Sequence, residues 1–288
     1  MITGLDHIAM AVNDREVAVA KFTALLGREP NWRGEVGDVH HAWFQLDNMA
    51  LDLIAPKPDA PADLAIRRRL ARRGEHIFGL GFRVADLEAA ARLLKRRGVT
   101  THPAHDETTF APDGTSRTWK TVQTEARSTG GAPLFIVEHR PGAPDWPVSP
   151  PASEAAAAVS GLDHVVVTTP SPDRAAATFG ARFGLDMRLD RSNPDWGSRL
   201  MFFRCGGVVI EVAHSLRDTP DPAAPDRLSG LAWQVADPHA ARDRMASAGL
   251  DVSEVRDGRK PGTEVFTVRS GAPAAPFLML KPSPAEAN

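Results

Sequence analysis

The chain has 288 residues, 42% of them hydrophobic and 24% charged, with a formal net charge of -2. That composition supplies a sizeable core for each of two domains and gives no reason to expect bulk disorder. A near-neutral balance excludes the broad basic face of a nucleic-acid binder. The single cysteine, Cys205, excludes an internal disulfide and a thiolate metal cluster.

The opening MITGLDHIAM lacks the basic start and apolar run of a secretion signal. No apolar stretch approaches the length of a membrane span, so a cytoplasmic protein with no membrane partner is expected. From Gly4, GLDHIAMAV predicts a strand, followed through Asp14 by a helix that ends at Gly27. HAWFQLDNMALDLIAP then predicts a hairpin turning at Asp47-Asn48. The basic run Arg67, Arg68, Arg69, Arg72 and Arg73 lies on a short helical stretch and reads as a solvated face. FGLGFRVADLEAAARLLKRRGV, from Phe78, predicts a second strand that passes through an Asp N-cap signal into a second helix. The Pro-, Ala- and Ser-rich RPGAPDWPVSPPASEAAAAVS reads as a linker.

Beyond it the pattern repeats. GLDHVVVTTPSPDRAAATFGARFG from Gly161 matches the first motif, with Asp173 and Gly184 as counterparts of Asp14 and Gly27. LMFFRCGGVVIEVAH repeats the hairpin at Gly206-Gly207 and puts Cys205 at a strand end, as a buried inert thiol. SGLAWQVADPHAARDRMASAGL from Ser229 repeats the second motif. The chain is therefore expected to be α+β, with four βαβββ units over Met1 to Lys57, Gly74 to Arg140, Ser160 to Ser215 and Arg227 to Pro282. The ABAB order predicts a first domain over 1–140, a linker over 141–160 and a second domain over 161–288.

A Leu-Asp-His strand, a Val-x-Asp helix start and an acidic residue in a unit's last strand together resemble the vicinal oxygen chelate superfamily. PDWGSRLMFF, VVIEVAH, GRKPGTEVFTVRSG, APFLML and APLFIVEH are similar to its glyoxalase-like and bleomycin-resistance-like branch. The resemblance implies glyoxalase-like half-barrel domains, each cupping a metal and a small molecule. It implies the reaction less sharply, because the superfamily hosts isomerases, dioxygenases, lyases, thiol transferases and binding proteins.

Strand alternation offers a separate test of the site. If Ile8, Met10 and Val12 face the helices, His7 faces the cup; the same logic turns Asp52, Glu138, His164 and Glu211 inward. The resemblance implies one metal ligand from the first and last strand of each unit. Gly79 and Gly230 occupy the first-strand positions of units two and four, and Met279 or Leu280 stands in the last strand. The expected metal ligands are therefore His7, Asp52 and Glu138, with a weaker set at His164 and Glu211. Such donors suit Mn²⁺, Fe²⁺ or Mg²⁺, and Zn²⁺ is also compatible. The alternative is no metal at all, with both histidines serving as hydrogen-bonding residues at a strand start.

Glu138 and His7 are the expected catalytic groups, with Glu138 able to act as a base. Trp43, Trp119, Trp196 and Trp233 are expected to wall a ligand pocket, as are Phe110 and Phe203, core packing being the alternative for about half of these rings. Arg199 is expected to hold an anion, with Arg204, Arg259 and Lys260 as further candidates. His40 and His41 are expected at a solvated rim, and His76 is expected to face away.

The functional expectation is a lyase- or isomerase-type enzyme acting on a small oxygenated metabolite, through a divalent metal or a carboxylate base. The alternative is a metal-free drug- or metabolite-binding protein. Extradiol dioxygenase chemistry is disfavoured by Gly230, the apolar last strand and the absence of tyrosine, and true glyoxalase I by incomplete ligand sets. The expected partner is a small molecule, a homodimer is compatible with the sequence, and the first cup is expected to be the better equipped.

Overall fold

The computed structural model describes all residues except 140–146, 153, 219, 260 and 283–288. The first half runs β1 (Ile2–Ala11), α1 (Arg15–Leu26), β2 (Trp32–Val36), β3 (Val39–Gln45), β4 (Ala50–Pro56), α2 (Ala65–Arg73), β5 (His76–Val84), α3 (Leu87–Arg96), β6 (His105–Phe110), β7 (Ser116–Gln123) and β8 (Leu134–His139). The second half runs β9 (Val159–Thr168), α4 (Pro172–Ala176), β10 (Asp186–Asn193), β11 (Ser198–Cys205), β12 (Val208–Ser215), β13 (Arg227–Val235), α5 (Pro238–Ser247), β14 (Asp251–Val252), β15 (Arg256–Asp257), β16 (Glu264–Ser270) and β17 (Phe277–Lys281). Four βαβββ units are present; in the fourth, the strand after the helix is broken into β14 and β15.

Helix starts follow the sequence signals. Asp14, Asp86 and Asp237 accept from backbone N–H groups one turn on, at Val17, Ala89 and Ala240. Each satisfies a donor that the helix leaves open. In the third unit the cap position is Ser171 rather than Asp173, with Pro172 opening α4, which continues as a π-helical stretch over Ala177–Arg182.

Each unit closes on itself by a parallel pair, β1 with β4, β5 with β8, β9 with β12 and β13 with β17, and paired units join through antiparallel β1–β5 and β9–β13 contacts. The halves then differ. In the first, β2 meets β6 through Glu35 and Phe110, closing an eight-stranded barrel rather than the expected half-barrel. In the second, β10 and β14 remain edges among the described residues, and the sheet stays open. Helix α2 packs Ile66 and Leu70 onto Ala9, Ala11 and Ile54 on the inner side of the barrel.

One hydrophobic core serves both halves. Phe22 of α1 lies 6.2 Å from Phe277 of β17, and Phe82 of β5 lies 5.4 Å from Phe183. Unit one thus packs on unit four and unit two on unit three, and each cup lies on the sheet face away from this core. Cys205 is buried, and burial pushes its thiol up to about 12, as expected for an inert sulfur.

Asn48 joins the halves by side-chain hydrogen bonds. Its Nδ2 donates to Leu162 O at 2.7 Å and Gly207 O at 3.1 Å, and its Oδ1 accepts from Leu162 N at 3.0 Å. Asn48→Ala leaves these backbone groups unpaired and is expected to cost about 1–3 kcal/mol. Thermal unfolding checks this; an unchanged midpoint would mean that water replaces the bridge without loss.

Candidate functional site

The first cup is built on β1 and on β3 to β8. A cavity of about 230 Å³ is lined by His7, His41, Asp52, His105, Glu107 and Gln123, with Phe78, Trp119 and Phe135 among its apolar neighbours. His7 and Asp52 face it as alternation predicts. His7 Nδ1 donates to Asp6 Oδ2 at 2.8 Å, and Asp6 Oδ1 also accepts from Arg83 Nε at 3.1 Å and His139 Nε2 at 2.5 Å. Burial pushes the Asp6 carboxyl up, but the bonds from His139 and His7 outweigh it and hold the group well below the usual carboxylate range.

His41 is not a solvated rim residue. It is buried, and its Nδ1 donates to Asp52 at 2.9 Å from Oδ2 and 3.1 Å from Oδ1. Burial opposes its charge, yet Asp52, helped by Glu107, raises its pKa. The signal was present in VHHAWFQ: with Ala42 and Phe44 in the core, His41 and Trp43 share the opposite face.

Glu138 corrects the expected three-ligand set. Leu134 and Ile136 pack in the core while Phe135 lines the cavity, so Glu138 lies on the helix side. Its Oε2 accepts from Leu87 N at 2.6 Å, at the start of α3, where a carboxylate is favoured. Both faces of LFIVEH are apolar, so alternation carried no direction. Glycine at 79 and 81 has a steric reason. A Cβ at Gly81 would fall 2.7 Å from His7 Cε1, and one at Gly79 would fall 2.7 Å from the Phe135 ring.

The second cup is larger, about 780 Å³. His164 and Glu211 line it, with an apolar wall that includes Leu200, Phe202, Leu278 and Leu280 and with Arg191, Arg256 and Arg259 as cations. His164 Nδ1 donates to Asp163 Oδ1 at 2.7 Å, and its Nε2 lies 3.5 Å from Glu211 Oε2. Burial lifts the Glu211 carboxyl above its ordinary range, against the pull of His164 and Arg259. Burial disfavours the His164 charge, but Asp163 and Glu211 reverse this and raise its pKa.

Other expected residues divide between the faces. Trp119 lines the first cavity, and Trp43 turns inward but is covered by the Arg117 guanidinium 4.5 Å from its ring. Trp196 lines the second cavity, with Arg259 4.7 Å from its ring. Trp233 does not reach a pocket. Leu231, Trp233 and Val235 take the core face of β13 and Ala232 the other, so Trp233 is fully buried against Phe277. Arg199 also lies outside the cup, because Leu200 and Phe202 take the inner face. It is bound to Asp190 at 2.7 Å and Asp173 at 3.2 Å. Phe203 is core, Phe110 is exposed, Arg204 points to solvent and Lys260 lies outside the described residues.

These donors do not fit a resident metal. Glu138 is committed to α3, and in the second cup Gly230, Leu278 and Leu280 offer no third ligand to His164 and Glu211. Among the described residues no three His, Cys, Asp or Glu side chains gather as a metal site.

Residues 5–159, more than half of the chain, match the model of the glyoxalase-like domain, and residues 163–267 match that of the glyoxalase, bleomycin resistance protein and dioxygenase superfamily. The chain belongs to the vicinal oxygen chelate superfamily. Its similarity to an ethylmalonyl-CoA/methylmalonyl-CoA epimerase from Cereibacter sphaeroides is 27% identity over 129 residues, 42% of this chain and 87% of that protein. In fold it resembles a triple mutant of 4-hydroxymandelate synthase from Streptomyces coelicolor, with a TM-score of 0.70 at 15% identity, over 98% of this chain and 93% of that one. A fusion of a xylose isomerase-like TIM barrel with 4-hydroxyphenylpyruvate dioxygenase gives a TM-score of 0.67 at 14% identity, over 99% of this superfamily member and 50% of the fusion. These likenesses carry the tandem fold. Among the described residues no helix is long and apolar enough to cross a membrane.

Proposed function

We propose that this superfamily member is an isomerase-type enzyme that moves the proton α to a carbonyl in a carboxylate-bearing acyl compound bound in the second cup. The Glu211–His164 pair, set in an apolar cavity with three arginines, carries this reading. A carboxylate lifted by burial is a stronger base than one in water and stands closer to neutral pH. Glu211 takes the proton, Asp163 holds His164 in the tautomer that presents Nε2 to Glu211, and Arg259 stabilises the enolate charge. Arg191 and Arg256 hold the substrate carboxylate. The epimerase relative, whose name gives it ethylmalonyl-CoA and methylmalonyl-CoA, supports the reaction class. The preference thus moves from the first cup, favoured by ligand counting, to the second.

Deuterium incorporation into methylmalonyl-CoA in heavy water tests the proposal; exchange no faster than in buffer would overturn it. The apolar wall favours one second reading, binding without turnover, and saturable binding with no exchange would select it. Within the proposed reaction, Arg259→Ala is expected to reduce exchange by about tenfold or more, the loss of one charge-assisted contact. Arg199→Ala, on the other face of β11, is expected to leave it unchanged. The reverse ranking of these variants would place the anion elsewhere.

A further inference from the structure

The first cup holds chemistry that the proposed reaction does not use. Two of its histidines have Nδ1 occupied by a buried aspartate, His7 by Asp6 and His41 by Asp52, and both line the same cavity. An aspartate accepting from Nδ1–H fixes the tautomer and leaves Nε2 for the cavity. Neither Nε2 has another hydrogen-bond partner among the described residues. The His7 ring is held between Trp43 at 5.1 Å and Phe135 at 5.4 Å, so its direction is set by packing as well as by Asp6. The barrel is closed and α2 covers part of its inner side, an element with no counterpart in the second half among the described residues. His7 and His41 are both largely covered, 6% and 8% exposed.

We infer that the first cup is a second, separate acid–base centre, which enolises a compact, planar, uncharged carbonyl compound between His7 and His41. Size and lining define the ligand. A cavity of about 150 Å³ is enough for benzene, so about 230 Å³ accepts a ring bearing a small substituent. Phe78, Trp119 and Phe135 offer faces to a flat molecule, and the carboxylates of Asp52 and Glu107 disfavour an anion. In the reaction the C–H bond α to the carbonyl breaks and His7 Nε2 takes the proton. The electron pair forms the C=C bond, and the carbonyl oxygen receives a proton from Nε2 of His41, which starts doubly protonated with Nδ1–H on Asp52 and ends neutral. Reversal returns the ketone with a solvent-derived proton on carbon, so nothing is oxidised or reduced.

The probe is 1-indanone, with deuterium incorporation beside its carbonyl followed in heavy water. The wild-type chain is expected to accelerate exchange over buffer. His7→Gln and His41→Gln are each expected to lose about 100-fold of that acceleration, whereas Arg199→Ala is expected to retain it. Because a histidine variant can fail by misfolding, the wild-type protein is also labelled with ¹⁵N-histidine and titrated with 1-indanone. The Nε2 resonances of His7 and His41 are expected to shift. No acceleration by the wild-type protein, a wild-type rate in His7→Gln, or no shift at either histidine would each overturn the inference.

Discussion

Glu211→Gln is expected to abolish most exchange of the methylmalonyl-CoA α-proton, by about 10²–10⁴-fold in kcat, the usual contribution of a positioned general base. The amide preserves the shape of Glu211 and can donate its N–H to His164 Nε2 but cannot accept the proton. KM should change little, because binding falls to the arginines and the apolar wall. Folding should survive, since the substitution removes a charge that burial opposes. The pH profile adds a second readout. A base works only when deprotonated, so the wild-type rate should rise as pH passes through the Glu211 pKa. Burial lifts that pKa, so the rise should lie above the ordinary carboxylate range. A glutamine variant with wild-type exchange would remove Glu211 from the mechanism, and a rise at an ordinary carboxylate pH would show that Glu211 is better solvated than its surroundings imply.

Asp6→Ala is expected to be the most destabilising single change at the first cup, about 3–5 kcal/mol, because it breaks a buried charge cluster and leaves the buried His7 ring without its acceptor. Asp6 is 2% exposed and accepts from His7, His139 and Arg83. The unfolding midpoint should fall by roughly 10 °C for a chain of this size. The pH dependence follows from the direction of its shift. The folded-state pKa is depressed, so the stabilisation is fully present above the unfolded value of about 3.9 and disappears as pH falls through the folded value. Denaturant unfolding from neutral to acid pH measures it. A difference between wild type and Asp6→Ala that stays constant through the acid range would mean that Asp6 acts by packing rather than by charge.

Much of the site was legible from one-sided strands. In ITGLDHIAMA the large residues Ile8 and Met10 alternate with small ones, and His7 could be assigned to the cup without a structure. VVIEVAHS placed Glu211 in the same way. LFIVEH has apolar residues on both faces, so Glu138 was assigned to the wrong one. Trp233 shares the core face with Leu231 and Val235, so alternation along β13 would have turned it away from the cup. His41 was passed over because it was read as a solvated rim residue rather than as an inward residue of β3.

By itself the sequence determined the duplicated four-unit fold, the aspartate caps of α1, α3 and α5 and the histidine-bearing strands. Repeats, capping residues and period-two patterns are local, so one chain segment carries all of each signal. Only the tertiary structure decided that β2 and β6 meet to close the first barrel while β10 and β14 stay apart, and that Asp6 and Asp52 are shared with His139 and His41. It also placed Arg191, Arg256 and Arg259 around one cavity. These outcomes depend on sheet curvature and on contacts between residues far apart in sequence, which no local pattern encodes.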